Sequence, residues 1–482
     1  MNHSLVWFRQ DLRITDNPAL KNAIENSKFT SAIYILDDEK KQKIRALGGA
    51  SKWWLHYALQ DLSNNLKENY NIDLIIRKGN PEEIIPEICA ENNIEKLYYN
   101  RLYEPYYYKR DSEISDILSK QNIAVENFNS ALLVEPWEVK NGSREFFKVY
   151  THFYKACLKN FIPRNSIKKP KPQNKKFQKD IFSESLESLN LTPKKPNWAK
   201  GFYDYWQVSE GAAENRLYNF LENLVENYDE KRNFPDVENT SKLSPYLHFG
   251  QISPHQILDA CELFKQKNPN SINGINKFIS EIYWREFSYN LMFNFPSLPE
   301  KNFRAEFDNF PWEDNLENLK KWQKGKTGYP IIDAGMRELW HTGWMHNRVR
   351  MIVGSLLTKH LLTHWKYGEE WFWDCLVDAD LANNSASWQW VSGSGADAAP
   401  YFRIFNPVMQ GEKFDAYGVY VRKWIPELKH LPNEFIHKPW LASPLILKAA
   451  GVELGKNYPE PIIPMEKGRN KALEAYQKMR GK

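Results

Sequence analysis

Residues 73–99 read DLIIRKGNPEEIIPEICAENNIEKLYY and contain one complete strand–helix–strand unit. The apolar runs Asp73–Arg77 and Lys96–Tyr99 predict two short strands, and Pro81–Asn93 between them has helical periodicity. An Asn-Pro pair begins this helix, and these residue types suit the N-cap and the first helical position. Two strands joined through a helix are expected to lie parallel, in a right-handed crossover.

The same alternation extends over the first ~130 residues. Further strands are predicted over Ser4–Arg9 and Ser31–Leu36, and further helices over Asn17–Ser27, Ala50–Tyr70 and Pro105–Ser119. This pattern is typical of an α/β domain with a Rossmann-like parallel sheet, which binds ligands at the carboxyl ends of its strands. Neither G-x-G-x-x-G nor G-x-x-x-x-G-K-[ST] follows any strand, so a phosphate-loop nucleotide site is not expected.

Residues 155–200 change in character. They contain twelve Lys or Arg, three Asp or Glu and five Pro, which predicts an exposed connector between domains. A solvated linker is favoured over nucleic-acid contact for this charge. Helical periodicity dominates from about Gly211 to the end. We therefore predict an α/β domain over 1–130, a long interdomain linker over 131–205 and an all-α domain over 206–482.

The clearest helical pattern lies in His346–Trp365. Apolar residues recur there at helical spacing and predict a buried stripe. The stripe contains Val349, Ile352, Val353, Leu356, Leu357, Leu361 and Trp365. The opposite side carries Asn347, Arg350 and Met351, whose polar groups need partners or a ligand if they are covered.

Composition excludes several classes of protein. The 482 residues are 42% hydrophobic and 26% charged, with no apolar run near the ~18 residues that a membrane span needs. The N-terminus has no secretory signal pattern. Four widely spaced cysteines exclude a disulfide scaffold and a Cys-rich zinc module, and fit a reducing cytosol. The net charge of +5 is compatible with nucleic acid but does not demonstrate it. We expect a cytoplasmic monomer without membrane contact.

Tryptophan is unusually abundant. Twelve of the 18 Trp residues follow residue 280, and Trp388 and Trp390 precede Gly393-Ser394-Gly395. A Gly-Ser-Gly loop suits close approach to a ligand. Packing in a core or interface is the more frequent role of any single Trp.

Two short motifs have alternative interpretations. Asp378-Ala379-Asp380 could grip a ribose, a cation or an Arg in a bend, or could cap a helix. Glu281, Trp284 and Arg285 share one helical face, which suits hydrogen bonding to and stacking on a nucleobase. The simpler interpretation of this second motif is a Glu–Arg surface pair.

A metal site is not expected. His360 and His364 are spaced for chelation, but no H-E-x-x-H motif and no third ligand lie near them.

Several ordered motifs resemble one known family. They are Leu5–Arg13, Thr240–Leu247, Trp284–Phe287, Gly343–Arg348 and Asp378–Pro407. In this order they resemble the photolyase/cryptochrome family, and most closely the class I DNA photolyases that repair cyclobutane pyrimidine dimers. The family fold is an α/β antenna domain joined by a long linker to an all-helical FAD-binding domain, which agrees with the organisation predicted above.

The resemblance implies an FAD site. Thr240–Ser244 would offer hydroxyls and backbone N–H groups to the pyrophosphate. Asp380 matches a position near flavin N1, and Asn384 matches the position facing N5, where a neutral amide can accept a hydrogen bond. The full set of implied FAD positions is Tyr228, Thr240, Ser241, Lys242, Leu243, Ser244, Phe278, Glu281, Arg285, Asn347, Arg350, Asp378, Ala379, Asp380 and Asn384.

The resemblance also implies a reaction. Light excites reduced FAD, an electron passes to a dimer flipped out of the duplex, and the cyclobutane ring splits. Glu281 would hydrogen-bond to the dimer, and Asn384 would set the electronics of the flavin. Implied contacts to the dimer or to DNA phosphates are Arg232, Trp284, Arg285, Asn347, Arg348, Met351, Trp390, Arg403 and Gln410. Trp388, Trp365 and Trp312 match the chain that carries electrons to oxidised flavin.

Single positions favour one subfamily. Relatives that repair the (6-4) photoproduct tend to carry His where this chain has Asn347 and Met351, and plant cryptochromes tend to have Asp at the position of Asn384. These residues favour a dimer photolyase, and a cryptochrome-like blue-light photoreceptor is the alternative. Tyr107 and Glu300 lie near positions where some relatives carry folate-binding residues. The antenna pigment therefore stays open between 5,10-methenyltetrahydrofolate, 8-hydroxy-5-deazaflavin, a second flavin and none.

Overall fold

The computed structural model describes residues 2–37, 44–172, 181–398 and 402–481. The chain divides into two compact units. Unit 1 consists of Met1–Trp198, Trp206–Glu226 and Ser241–Pro296, and unit 2 consists of Ala199–Tyr205, Asn227–Thr240 and Ser297–Lys482. The domain limits at residues 130 and 205 stay predictions.

Unit 1 contains a five-stranded parallel sheet, as predicted. Its strands are β1 (His3–Phe8), β2 (Phe29–Asp37), β3 (Leu74–Gly79), β4 (Lys96–Asn100) and β5 (Ala124–Phe128). They lie in the order β3-β2-β1-β4-β5, and every neighbouring pair is parallel. The sheet and the helices of this α/β arrangement match the predicted Rossmann-like class. The fifth strand is additional to the four predicted ones.

The helices follow in chain order and confirm the predicted βα alternation. They are α1 (Pro18–Asn26), α2 (Gly49–Tyr70), α3 (Pro81–Glu91), α4 (Pro105–Lys120), α5 (Tyr150–Asn160), α6 (Lys200–Tyr205), α7 (Glu210–Asn223), α8 (Tyr228–Lys231), α9 (Ser244–His248), α10 (Pro254–Lys267), α11 (Ile272–Asn294), α12 (Leu316–Gln323), α13 (Pro330–Thr342), α14 (Asn347–Ser355), α15 (Trp365–Cys375), α16 (Leu381–Ser392), α17 (Pro407–Phe414), α18 (Val419–Trp424), α19 (Pro444–Ala449) and α20 (Met465–Met479). Asn80 caps α3 as predicted, because its side chain accepts from the Glu82 N–H at 3.0 Å.

The core of unit 1 comes from the alternating side chains of the strands. Leu5, Trp7, Ile33 and Leu97 are completely buried in one cluster with the apolar sides of the flanking helices. Strands covered on both faces read as continuous apolar runs, which explains why β1 and β2 were visible in the sequence. Each such buried side chain contributes about 2 kcal/mol to the free energy of unfolding.

Unit 2 is helical. The residues 346–365, whose apolar spacing is continuously helical in the sequence, do not form one continuous α-helix. Helix α14 ends at Ser355 and continues as a π-helical turn over Leu356–His360, and α15 begins only at Trp365. All seven residues of the predicted stripe are nevertheless buried. Wider π-helical turns are rare and often mark functional positions.

The four cysteines are free and buried. Burial raises the pKa of Cys89, Cys157 and Cys261 to about 12. These thiols are therefore packing residues and not nucleophiles at neutral pH.

Candidate FAD and nucleic-acid site

The implied FAD residues are divided between the two units. Unit 1 contains Ser241, Lys242, Leu243, Ser244, Phe278, Glu281 and Arg285. Unit 2 contains Tyr228, Thr240, Asn347, Arg350, Asp378, Ala379, Asp380 and Asn384.

In unit 2, Arg350 on α14 forms an ion pair with Asp378. One guanidinium nitrogen donates to both carboxylate oxygens, at 3.1 and 2.8 Å, and the Arg350 Nε donates to the backbone oxygen of Met345. The Asp378 side chain is only 3% exposed. The alternatives for Asp378 were contact with a ribose, a cation or an Arg, or a helix cap. The structure shows contact with an Arg.

Asp380 has a different role from Asp378. It is the N-cap of α16, where its carboxylate accepts from the backbone N–H and the side-chain amide of Asn383, at 2.8 and 2.7 Å. The helix-cap alternative is thus confirmed for Asp380. Ala379 between the two acids is buried.

The amide of Asn384 is oriented by a buried acid. Its Nδ2 donates to Glu369 twice, to the backbone oxygen at 3.0 Å and to Oε1 at 2.8 Å. Glu369 lies on α15 and is fully buried. Because Nδ2 is engaged, Oδ1 is the atom of Asn384 that can accept a hydrogen bond from a flavin N–H.

The segment around Thr240–Ser244 has a backbone suited to anions. Lys242 has φ +51° in the left-handed region, and Leu243 next to it is right-handed at φ −86°, ψ −7°. Successive N–H groups in such a pair point to one side and form an anion-binding nest. Nearby in the chain, the buried Nδ2 of Asn239 has no hydrogen-bond partner among the described residues. The backbone nest in unit 1 is by itself suited to a pyrophosphate of FAD. Within unit 2, Asn239 offers an unsatisfied amide donor, and the oriented Asn384 offers an acceptor for the flavin ring.

In unit 1, α11 carries the other predicted residues. Glu281 pairs with Lys277 at 3.1 Å, one turn earlier in the same helix. Arg285 donates to the backbone oxygen of Ala131 at 2.7 Å and lies against Glu286. The carboxylate and the guanidinium thus engage these partners on α11 and at Ala131.

Aromatic contacts hold the same helix face. Trp284 stacks on Tyr150 of α5, with ring centroids 3.7 Å apart and planes 9° apart. Phe278 is buried against Phe220 of α7. One face of the Trp284 indole is therefore covered by unit 1 itself.

Three predicted DNA-contacting arginines interact in unit 2. Burial and repulsion by Arg232 and Arg403 lower the pKa of Arg348. Arg348 donates to the Asn233 side chain at 2.7 Å and lies over the ring of Phe414. The mutual repulsion of the guanidinium groups raises the free energy of the folded protein. A bound anion would offset this repulsion.

His346 stays neutral beside these arginines. Burial, and the positive charges of Arg348, Arg232 and Arg350, lower its pKa to about 3. Its Nδ1 accepts from the Arg348 backbone N–H at 3.2 Å and so caps α14. The imidazole therefore fixes the start of the helix that presents Arg348 without adding a fourth charge.

The remaining predicted contacts are accessible or partly so. Asn347 and Arg403 are exposed, and Met351, Trp390 and Gln410 are half-buried. The Trp390 Nε1 donates to the Asp397 backbone oxygen at 3.1 Å. Their side chains are thus at least partly exposed to solvent.

Trp388, Trp365 and Trp312 all lie in unit 2, with a histidine between the last two. His364 lies 5.1 Å from Trp312 and 5.5 Å from Trp365 between ring centroids. Trp365 is fully buried and donates to the Asn302 side chain at 2.8 Å, while Trp312 is half-buried. An electron could therefore pass inwards from Trp312 to Trp365 past one imidazole.

Among the described residues, no group of three or more His, Cys, Asp or Glu side chains could hold a metal ion, and His364 instead caps α15. Within the same residues we find no helix that could span a lipid bilayer.

Comparison with known proteins connects both halves of the chain to one family. Residues 4–175 match the family described as DNA photolyase, and residues 278–478 match the FAD binding domain of DNA photolyase. The chain is 45% identical to the deoxyribodipyrimidine photo-lyase of Agrobacterium fabrum over 474 residues, or 98% of this chain and 97% of that protein. The chain belongs to the photolyase/cryptochrome family.

Both branches of the photolyase/cryptochrome family include similar proteins. Cryptochrome-2 of Arabidopsis thaliana is 38% identical over an alignment of 490 positions, which covers 99% of this chain and 79% of that protein. The crystal structure of a bacterial class III photolyase from Agrobacterium tumefaciens is 44% identical, with a TM-score of 0.96 over 100% of this chain and 98% of that chain. Similarity to a class III enzyme gives no support to the class I assignment predicted from the sequence.

Sequence reasoning missed the residues that orient the predicted ones. Glu369, Asn302, His364 and His346 were not assigned to the site. They orient Asn384 and Trp365 and cap α14 and α15, from positions to which the sequence had assigned no role in the site. The sequence feature that could have identified these residues is a single charged or polar side chain inside an apolar stretch. Such a residue needs a partner if it is buried, but the sequence does not say which one.

Proposed function

We propose that this protein is a light-dependent DNA repair enzyme that splits cyclobutane pyrimidine dimers. The proposal rests on the side-chain amide of Asn384, which donates to Glu369 and lies in the FAD-binding domain of a photolyase/cryptochrome chain. A neutral amide there accepts a hydrogen bond without offering a proton, as a dimer photolyase requires. Full-length identity of 45% to a deoxyribodipyrimidine photo-lyase supports the same conclusion.

Bound FAD would supply the light-driven electron transfer. Among the chain's own residues, the Lys242–Leu243 nest of unit 1 would bind the pyrophosphate, and Asn384 of unit 2 would orient the ring. The chemistry belongs to the cofactor, while these groups set its position and electronics.

The DNA would be bound and opened by other residues. Arg232, Arg348 and Arg403 would contact phosphates and position the duplex, which makes the affinity salt-dependent. A damaged pair is easier to unstack than normal bases and would be received by Asn347 and Met351. Glu281, when its carboxyl group carries the proton, would donate a hydrogen bond to the dimer and stabilise the negative charge that develops on it.

The photolyase class and the identity of the antenna pigment are separate questions. The 44% identity over the whole chain to a class III photolyase supports placement in class III. Mass measurement of the pigments released from the purified protein would identify the antenna among the alternatives left open above.

A cryptochrome-like photoreceptor is the second candidate. It is favoured by 38% identity to Cryptochrome-2 over 99% of this chain. This candidate predicts FAD binding without repair.

One experiment separates the two candidates. The purified protein with reduced FAD is illuminated with an oligonucleotide that carries one thymine dimer, and restored thymines are quantified. We expect restoration in light and none in the dark, and no repair of an oligonucleotide with a (6-4) photoproduct. Retention of FAD without any thymine restoration would reject the enzyme and favour the photoreceptor.

A further inference from the structure

A small cavity in unit 2 is lined mostly by residues that were assigned neither to the FAD site nor to the series Trp388, Trp365 and Trp312. Cationic and aromatic side chains surround it, among them Arg304, Phe307, Lys359, Trp390, Phe402 and Tyr476. Of the lining residues, Trp390 and Arg403 were predicted to contact the dimer or DNA. The other residues connect them to the interior and to the C-terminal helix.

Lys359 is the unusual member of this group. It lies on the π-helical turn and is only 1% exposed. Its Nζ donates to the backbone oxygen of Ser392, the last residue of α16, and lies 3.2 Å from the ring centroid of Phe402. A desolvated cation over an aromatic face is among the stronger cation–π geometries.

The end of α16 is shaped around this amine. Gly393 has φ +91°, and a Cβ at that position would lie 3.2 Å from the Lys359 Nζ. The Arg304 backbone N–H donates to the Ser394 oxygen at 2.8 Å, and its guanidinium donates to the Gly393 oxygen at 3.2 Å. Two cations therefore hold the carbonyl groups that follow Trp390 in the chain.

Phe402 is held from the C-terminal helix as well. Its ring stacks on Tyr476 of α20, with centroids 4.6 Å apart and planes 11° apart. Both rings pack against a small cluster that includes Phe307, Phe310 and Ala472. The next residue after Phe402 is the exposed Arg403.

We propose that Lys359 and Tyr476 are positioning residues for DNA binding, which hold Trp390 and Arg403 in place through Ser392 and Phe402. This inference rests on the proposed function, because Trp390 and Arg403 are the side chains that it assigns to the dimer and to DNA. Neither Lys359 nor Tyr476 touches the substrate. The C-terminal helix α20 is thereby part of the support of the DNA-contacting surface.

The placement of a lysine supports a role beyond stability. Burial and Arg304 lower the pKa of Lys359 well below its usual range, so the folded protein bears a desolvation cost for this amine. A methionine would fill similar space without that cost. A buried group that is unfavourable for stability is expected where function requires it.

The test uses three variants of the full-length protein with FAD bound. Lys359→Met removes the amine, Tyr476→Ala removes the stack, and Tyr476→Phe keeps the stack without the hydroxyl. Lys471→Met is the matched control, because Lys471 also lies on α20 but pairs with Glu313. For each we measure the Kd for a dimer-containing oligonucleotide, the repair rate at saturating DNA, the flavin absorbance and the thermal unfolding midpoint.

We expect Lys359→Met and Tyr476→Ala to weaken dimer-DNA binding about tenfold, with the repair rate at saturating DNA and the flavin content unchanged. Tyr476→Phe and Lys471→Met should bind as the parent does, and Lys359→Met should not lower the unfolding midpoint. Unchanged binding in both Lys359→Met and Tyr476→Ala would overturn the proposal. Loss of flavin together with a lower midpoint in both would also overturn it, since the residues would then be architectural.

Hydrogen exchange separates this inference from the proposed function. We expect amides of residues 390–398 and 402–410 to exchange faster in Lys359→Met and Tyr476→Ala, with or without DNA. If the parent protein does not prefer dimer-containing DNA, the proposed function fails while faster exchange still supports the positioning role. Unchanged exchange in both variants would reject the positioning role even if the parent repairs dimers.

Discussion

Arg350 donates from one guanidinium nitrogen to both carboxylate oxygens of Asp378, at 3.1 and 2.8 Å. The two residues are 28 positions apart and join α14 to the turn that begins α16. Both were assigned to the FAD site from the resemblance alone. The ion pair fixes the position of the Arg350 guanidinium on α14 and of the Asp378 carboxylate before α16. The Asp378 side chain is almost completely buried.

Asp378→Asn should release FAD from the protein. The substitution leaves the Arg350 guanidinium without its charged partner, which costs about 3 kcal/mol when the pair is buried. Part of that cost falls on cofactor affinity, so we expect the flavin-to-protein absorbance ratio after gel filtration to fall severalfold. Glu427→Gln is the control, since it breaks the partly buried Arg337–Glu427 pair at 2.9 Å in the same unit. An equal loss of flavin in the control would show that ion pairs in unit 2 act only through stability.

Glu281→Ala should reduce the quantum yield of repair and leave DNA binding nearly intact. The carboxyl group is assigned to the dimer itself, where the hydrogen bond that its protonated form donates strengthens as negative charge develops. We expect about a tenfold loss of yield, measured as thymine restored per absorbed photon, with the Kd within twofold. Lys277→Met is the matched variant, because it frees Glu281 from its pair on α11 without removing the carboxylate. Equal losses of yield and of binding in Glu281→Ala would make the residue architectural.

Trp312→Phe should slow the photoreduction of oxidised FAD and spare repair by enzyme that is reduced beforehand. Trp312 is the half-buried member of the series, and phenylalanine fills most of its space but is much harder to oxidise. The loss of oxidised-flavin absorbance under blue light, with an external reductant present, measures the effect. Trp440→Phe serves as the control, since Trp440 is a tryptophan of the same unit whose ring packs against Tyr329, a residue outside the series. Unchanged photoreduction in Trp312→Phe would remove this residue from the electron route.

Sequence periodicity predicted the sheet well because β1 to β4 are apolar runs bounded by clear helix signals. β5 was missed since its residues, AVENF, are all exposed or half-buried and include two polar side chains. The break after Ser355 was also invisible, because the apolar residues keep a helical spacing through the π-helical turn. Backbone hydrogen-bond shifts of this kind leave no mark in hydrophobic periodicity.

The site was less predictable than the fold. Motif resemblance selected Asn384 and Trp365, but their partners Glu369 and Asn302 lie 15 and 63 residues away in the chain. Pairings of this kind depend on the packing of helices that sequence spacing alone does not define. Lys359 was overlooked for a different reason, because a lysine is expected at the surface and is almost never fully buried.

Arg403→Gln should weaken DNA binding about equally for damaged and undamaged duplexes. Each phosphate contact that is lost reduces the slope of log affinity against log salt by about 0.9. We therefore expect the slope measured between low and moderate salt to become shallower by roughly one contact. Lys456→Gln, which removes an exposed charge paired with Glu453, should leave the slope unchanged. A selective loss for damaged DNA at constant slope would instead assign Arg403 to the dimer.

Glu286 should make the stability of unit 1 depend on pH. Its carboxylate is buried and accepts from the backbone N–H groups of Leu133 and Val134, at 2.8 and 3.3 Å. Burial raises its pKa to about 7, against 4.5 for the ordinary group, although Arg285 opposes the shift. The folded state therefore binds the proton more tightly than the unfolded state. The resulting stabilisation is fully present below pH 4.5 and is lost as the pH rises through 7.

The expected change in the free energy of unfolding between pH 5 and pH 8 from this one group is on the order of 3 kcal/mol. Glu286→Gln keeps an oxygen acceptor for the two N–H groups and removes the titration. Urea unfolding at several pH values should therefore show a shallower decline in the variant than in the parent. Glu262→Gln on α10 replaces an exposed acid of the same unit and should keep the parent's slope. If Glu286→Gln and the parent lose stability in parallel over this range, Glu286 stays ionised in the folded protein and its pair with Arg285 outweighs burial.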